Sequence, residues 1–251
     1  MARMFFLWAK VADAGQNSVV TRKFSFSLPL TNPSHTMLIK ASGITNLTDA
    51  RYFAAREVAY LGFNLEEHSE SYLDPMYMKA IREWVQGPKI VGEFSRTPAH
   101  VVREAAGFFS LEAVQVPLID DLQELDGLEV ILYLQGTSDP DTLASVLRRN
   151  KPLAAYFLLD FSTPEKTEAL LGAQAGAWKE LFAEYPVLLD VYLPADELPV
   201  LLQKLKPAGL ALRGGDEERA GVKSFEEIDA IFEVLESAED DYFTTSTPEA
   251  S

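Results

Sequence analysis

Three carboxylic acids stand at or near the ends of apolar runs in this chain: Glu93 in "KIVGEF", Asp160 in "AYFLLD" and Asp190 in "PVLLDVYL". A fourth run, "MLIKA", leads through Ser42-Gly43 into Asn46-Leu47-Thr48-Asp49, which opens a helix. Carboxyls that converge can exchange protons with a substrate, or gather a hard cation such as Mg2+. A serine hydroxyl attacks, or removes a proton, only when a base takes its own proton. None of the three histidines, His35, His68 and His100, is adjacent to Ser42 in sequence, so the fold would have to bring such a base. Arg213-Gly214-Gly215 offers a guanidinium and two glycines whose N–H groups can turn toward an anion. Cysteine is absent, which removes thiolate nucleophiles, thiolate metal sites and disulfides together.

For these groups to meet, the runs that carry them must belong to one sheet. Strands are expected at 37–41, 58–63, 89–94, 112–116, 129–134, 155–160, 186–193 and 209–213. Helical spacing follows most of them, at 47–57, 75–86, 97–107, 139–149, 172–184, 195–204 and 224–236, with only 118–126 weak. Strands rich in Val, Ile, Leu and Tyr that alternate with helices form a parallel sheet covered on its outer side. Eight such units in about 200 residues fit a closed (β/α)8 TIM barrel, whose catalytic side chains sit at the strand C-terminal ends. A doubly wound sheet would carry a glycine-rich dinucleotide fingerprint after the first strand, and "ASGITN" is not one. No cofactor and no metal centre is expected.

The bounds of the chain fit one barrel. Its 251 residues are 47% hydrophobic and 24% charged, enough to bury a full core. Lys plus Arg number 22 against 38 Asp plus Glu, and the net charge of −16 argues against nucleic acid or an anionic membrane as partner. Residues 1–36 read as an N-terminal extension whose only alternating piece is "FSFSLPL", and 237–251 as an acidic, flexible tail, leaving 37–236 for the barrel. The apolar "MFFLWA" is shorter than a signal-peptide core, so a cytoplasmic protein is expected.

Taken in order from Met37 to Glu236, "KASGITNLTDA" (40–50), "LGFNLEEHSESYLDP" (61–75), "KIVGEFSRTPAHVV" (89–102), "LEAVQV" (111–116), "LLDFSTPE" (158–165) and "RGGDEERAGVKSFEEI" (213–228) resemble the phosphoribosylanthranilate isomerases of tryptophan biosynthesis. The resemblance implies the same barrel. It also implies an Amadori rearrangement, in which an acid protonates a furanose oxygen and a base removes the C2′ proton of the resulting imine. In the family the base is a cysteine, at the position of Ser42, and the acid is an aspartate, matched by Asp160. Gln115 matches a family glutamine near the substrate, although Val116-Pro117 departs from the usual Leu-His.

Other matched positions depart further. Ser71, next to Glu70, stands where the family has an arginine for the anthranilate carboxylate. "FSTPEKTEALLG" and "LLDVYLPADEL" lack the paired glycines that hold phosphate, and Ala211 replaces an aspartate. The expectation is a barrel that has lost the isomerisation and binds a small ligand, an anion among the candidates, or a partner, as a monomer or homodimer. The alternatives are an enzyme of altered chemistry built on Glu93, Asp160 and Asp190, or a residual isomerase with a base supplied from elsewhere.

Overall fold

The computed structural model describes residues 37–214, 217–219, 222–223 and 225–244. Eight parallel strands close on themselves in chain order: β1 (Leu38–Ser42), β2 (Tyr60–Asn64), β3 (Lys89–Glu93), β4 (Ala113–Pro117), β5 (Glu129–Gln135), β6 (Tyr156–Phe161), β7 (Val187–Val191) and β8 (Gly209–Arg213). Each boundary falls within two residues of the expected one. The seam is a continuous register from Leu38 opposite Gly209 to Ser42 opposite Arg213. A Cβ at position 209 would lie 2.1 Å from the Leu38 carbonyl oxygen, so closure there requires glycine.

The outer layer contains α1 (Leu47–Ala55), α2 (Pro75–Arg82), α3 (Ala99–Phe109), α4 (Pro140–Asn150), α5 (Pro164–Leu171), α6 (Ala175–Glu184), α7 (Leu198–Leu205) and α8 (Glu226–Thr244). Local chemistry starts several of them. Asn46, Asp74, Asp139 and Thr163 each accept a first-turn backbone N–H, and in the last three cases proline follows at the first helical position. The weak segment after β4 is a 3-10 turn, Leu122–Leu125.

Two departures from the expected pattern stand out. The expected helix 172–184 is preceded by a separate one, α5, which the Thr163-Pro164-Glu165 start signal accounts for. The last helix continues to Thr244, past its expected end at Glu236. A short antiparallel hairpin, β9 (Glu217–Arg219) with β10 (Val222–Lys223), lies between β8 and α8. Residues 1–36 with "FSFSLPL" and His35, Gly215, and the end of the tail beyond Thr244 lie outside the described residues. Among the described residues no helix is long and apolar enough to cross a membrane.

Strand alternation divides the core in two. One set of side chains, including Ile39, Leu61, Ile90, Val114, Leu132, Phe157 and Leu189, packs outward against the helices. The other set, Tyr60, Val91, Ala113, Ile131, Leu158, Leu188 and Ala211, fills the barrel itself. Stepping two residues along β3, β4, β6, β7 or β8 from the interior set reaches the C-terminal mouth, and that phase selects the site.

Candidate functional site

The mouth is the inward layer formed by Ser42, Glu93, Gln115, Gln135, Asp160, Asp190 and Arg213. Register places Ser42 beside Arg213, Glu93 beside Gln115, and Asp160 between Gln135 and Asp190. All three strand-end carboxylates singled out from the sequence thus reach one rim.

Below Ser42, on the same face of β1, Lys40 is fully buried. Its ammonium forms an ion pair with Glu93 Oε1 and donates to Ser42 Oγ at 2.7 Å. The other oxygen of Glu93 accepts the Gly43 N–H at 3.1 Å. The pair spans from β1 to β3 over β2, and Gly62 makes the crossing possible. A Cβ there would lie 2.1 Å from Glu93 Oε1 and 2.8 Å from Lys40 Nζ. A charge this deep is tolerated only when it is paired and hydrogen-bonded, and here both conditions hold.

Opposite, Asp160 is 7% exposed and surrounded by donors. Ser162 gives its hydroxyl at 2.6 Å and its N–H at 3.0 Å to Oδ1, while the Tyr133 hydroxyl and the Gln135 amide, at 3.1 Å, donate to Oδ2. Burial pushes the Asp160 carboxyl up, but the Ser162 and Tyr133 hydrogen bonds, with the charge of Lys166, outweigh it and hold the group at about 2. Asp160 is therefore ionised throughout the neutral range. Its register partner Asp190 behaves oppositely. Burial pushes the Asp190 carboxyl up, and the Asp160 charge adds to this, against Arg213, whose Nη2 donates to Asp190 Oδ2 at 2.9 Å.

The remaining expected residues separate into those that join this layer and those that do not. Gln115 faces the interior, and its Oε1 is buried without a hydrogen-bond donor. Gly214 follows Arg213 at the rim, and Gly215 is outside the described residues. Ser71 is exposed and turns back to its own loop, accepting from the Asn64 amide at 2.8 Å. His68 and His100 are exposed, and the polar neighbour of Ser42 is Lys40.

The three carboxylates do not gather for a cation. Each faces its own donor, and among the described residues no cluster of three His, Asp or Glu side chains is arranged to hold a metal. The bulky aromatics of nearby segments do not plug the mouth either. Phe161 and Trp178 pack edge to face at 5.4 Å within the outer core, and Tyr192 is exposed. Sequence reading missed Lys40, Gly62, Tyr133 and Gln135. A lysine inside "MLIKAS", in phase with Ser42, was the available signal for the first.

No family model matches the chain. It is 26% identical over 211 residues to N-(5'-phosphoribosyl)anthranilate isomerase of Syntrophus aciditrophicus (strain SB), covering 77% of this chain and 84% of that protein. Phosphoribosyl anthranilate isomerase from Thermus thermophilus superposes with a TM-score of 0.61 at 25% identity, over 80% of this chain and 99% of that structure. The Thermotoga maritima isomerase gives a TM-score of 0.64 at 20% identity, with the same coverage. With the ordered motifs from Met37 to Glu236 and the closed eight-stranded barrel, the chain is similar over most of its length to phosphoribosylanthranilate isomerases.

Proposed function

We propose that this barrel no longer performs the family's Amadori isomerisation and that its mouth binds a small ligand without turning it over, in a cytoplasmic protein that is a monomer or homodimer. The observation that carries the reading is the proton inventory of the mouth. The isomerisation needs one group that gives a proton and one that takes one, with affinities matched to neutral pH. At the position of the family's base, the Ser42 oxygen already accepts a hydrogen bond from the Lys40 ammonium, which itself is held by Glu93. A hydroxyl polarised by a cation is a still weaker base, and a charged lysine cannot receive a proton from it. At the position of the acid, Asp160 is held at about 2 and has no proton to give. Ser71, at the carboxylate-clamp position, is committed to Asn64.

The test is fluorescence loss of freshly prepared phosphoribosylanthranilate with the parent and with Asp160→Asn. Neither should turn it over. Turnover by the parent that Asp160→Asn abolishes would make Asp160 a working acid and end the proposal.

A second reading, an enzyme of altered chemistry, is favoured by the Asp160–Asp190 pair. Two adjacent carboxyls whose surroundings push them in opposite directions can divide acid and base roles. A bell-shaped pH profile for any activity lost in Asp190→Asn would support it over simple binding.

A further inference from the structure

Backbone N–H groups at the barrel mouth are taken by the chain's own carboxylates. Glu66, in the loop after β2, accepts through Oε2 from the N–H groups of Ser95 at 2.8 Å, Arg96 at 2.9 Å and Thr97 at 3.2 Å, and from the Thr97 hydroxyl at 3.0 Å. Three successive amides converging just ahead of a helix, here α3, are the arrangement that grips a phosphate or a carboxylate. Burial pushes the Glu66 carboxyl up, yet these donors hold it below the ordinary carboxylate value. The Gly43 N–H after β1 goes to Glu93 at 3.1 Å, and the Ser162 N–H after β6 goes to Asp160 at 3.0 Å. At three loops the donors that could meet an anionic ligand already meet an internal anion.

The charges balance as well. Lys40 is paired with Glu93, Arg213 donates to Asp190 at 2.9 Å, and Lys166 donates to Gln135 at 2.8 Å beside Asp160. Lys40 and Arg213 thus each face a carboxylate, and Lys166 lies beside a third. What the layer does offer is uncharged: the buried Gln115 Oε1 without a donor, and a Ser42 hydroxyl whose oxygen is engaged but whose proton is free to be donated.

We infer that the mouth takes an uncharged, hydroxyl-rich small molecule, with Glu66, Glu93 and Asp160 occupying backbone N–H groups that an anionic ligand group would otherwise use. This rests on the reading of the mouth as a ligand site. Gln115 Oε1 accepts one ligand hydroxyl, and Ser42 donates to another.

The full chain is titrated calorimetrically with ribose, ribose 5-phosphate and inorganic phosphate. Ribose should bind, with ribose 5-phosphate at least about tenfold weaker. Gln115→Leu should weaken ribose by about tenfold, through loss of the acceptor. Glu66→Ala, and in parallel Glu66→Gln to guard against a loop that collapses, should gain inorganic phosphate binding that the parent lacks. Ribose 5-phosphate binding as tight as ribose, absence of ribose binding in the millimolar range, or no phosphate gain in either Glu66 variant overturns the inference. Phosphate-ligand binding without turnover of phosphoribosylanthranilate strikes this inference alone. Turnover strikes the non-catalytic reading.

Discussion

The two ends of the barrel interior carry similar chemistry in different surroundings. At the mouth Lys40 of β1 meets Glu93 of β3 across β2, with the Ser42 hydroxyl beside them. At the floor Lys89 of β3 meets Glu129 of β5 across β4 at 2.5 Å, and the Tyr60 hydroxyl donates to the same glutamate at 2.5 Å. The floor pair is open, its side chains 47% and 23% exposed, with Lys89 resting 5.6 Å over the Tyr60 ring. At the mouth the corresponding exposures are 0% and 11%. An exposed pair keeps much of its hydration and closes the barrel end at little cost or gain. A buried pair has lost its water, so its members depend on each other and on the Gly43 and Ser42 contacts. The floor can therefore vary, whereas the mouth must be retained or replaced as a unit.

The sharpest way to break this comparison is to remove one partner of the buried pair. Glu93→Ala leaves a buried ammonium without its counter-charge and should cost about 3–5 kcal/mol of unfolding free energy, read from urea denaturation. Lys40→Met in the same background should recover much of that loss, since an uncharged interior replaces an unpaired charge. A loss within about 1 kcal/mol for Glu93→Ala, as expected of exposed pairs, would mean that water reaches the mouth and that the two ends are alike.

Acid denaturation tests the mouth from its other side. Asp160 has an ordinary value of 3.8 and is held at about 2 in the fold. Its contribution to stability is present above the ordinary value and disappears as the pH falls toward 2, an effect of about 2 kcal/mol. The parent should therefore lose about that much more stability than Asp160→Asn over this window. Asp190 has the opposite sign, because its carboxyl is pushed up and its charged form is the costly one. Both proteins keep Asp190, and in Asp160→Asn its carboxyl is relieved of the upward push of the Asp160 charge, so the difference reads the two carboxyls as a coupled pair. Equal slopes in the two proteins would show that the Ser162, Tyr133 and Gln135 donors do not favour the charged form.

The fold was legible in the sequence because it is repeated. Eight runs such as "GLALR" and "EVILYL" each announce a strand by composition, and most are followed directly by a helix start, as with Asp74-Pro75 and Asp139-Pro140. Most of the site was legible only as positions. Ser42, Asp160, Gln115 and Arg213 could be placed at strand ends, but what they touch could not. The contacts that decide their chemistry join residues far apart in sequence: Lys40 with Glu93, Tyr133 with Asp160, and Glu66 with Ser95 to Thr97. Carboxylates that looked free to gather Mg2+ in a linear reading are each occupied once the barrel closes. Gly62 could not have been singled out at all, because its reason for being glycine is a pair of side chains from two other strands.

At the floor a small effect is expected. Lys89→Met removes a half-exposed ammonium, leaves Glu129 with the Tyr60 hydroxyl, and should change stability by about 0–1 kcal/mol. A larger loss in urea denaturation would mean that the floor pair is as desolvated as the one at the mouth, and the contrast between the ends would be gone.

The smallest change expected is in activity, from Ser42→Cys. An unperturbed thiol has a pKa of about 8.5, and a neighbouring ammonium lowers such values. A cysteine at position 42 would take the place of an oxygen that lies 2.7 Å from Lys40 Nζ, so it should be largely thiolate near neutral pH. Rapid alkylation by iodoacetamide at neutral pH checks this. Restoring the family's base in this way should nevertheless give no turnover of phosphoribosylanthranilate. Asp160 still has no proton to donate at neutral pH, and Ser71 still turns to Asn64 rather than to a substrate carboxylate. Positioning alone can contribute roughly 7–11 kcal/mol to such a barrier, far more than a single restored proton acceptor. A reactive thiolate without catalysis would show that the mouth differs from an isomerase in how it holds a ligand, and not only in its base. Turnover gained by the single substitution would show instead that the binding geometry survives and that the loss of one sulfur atom had silenced it.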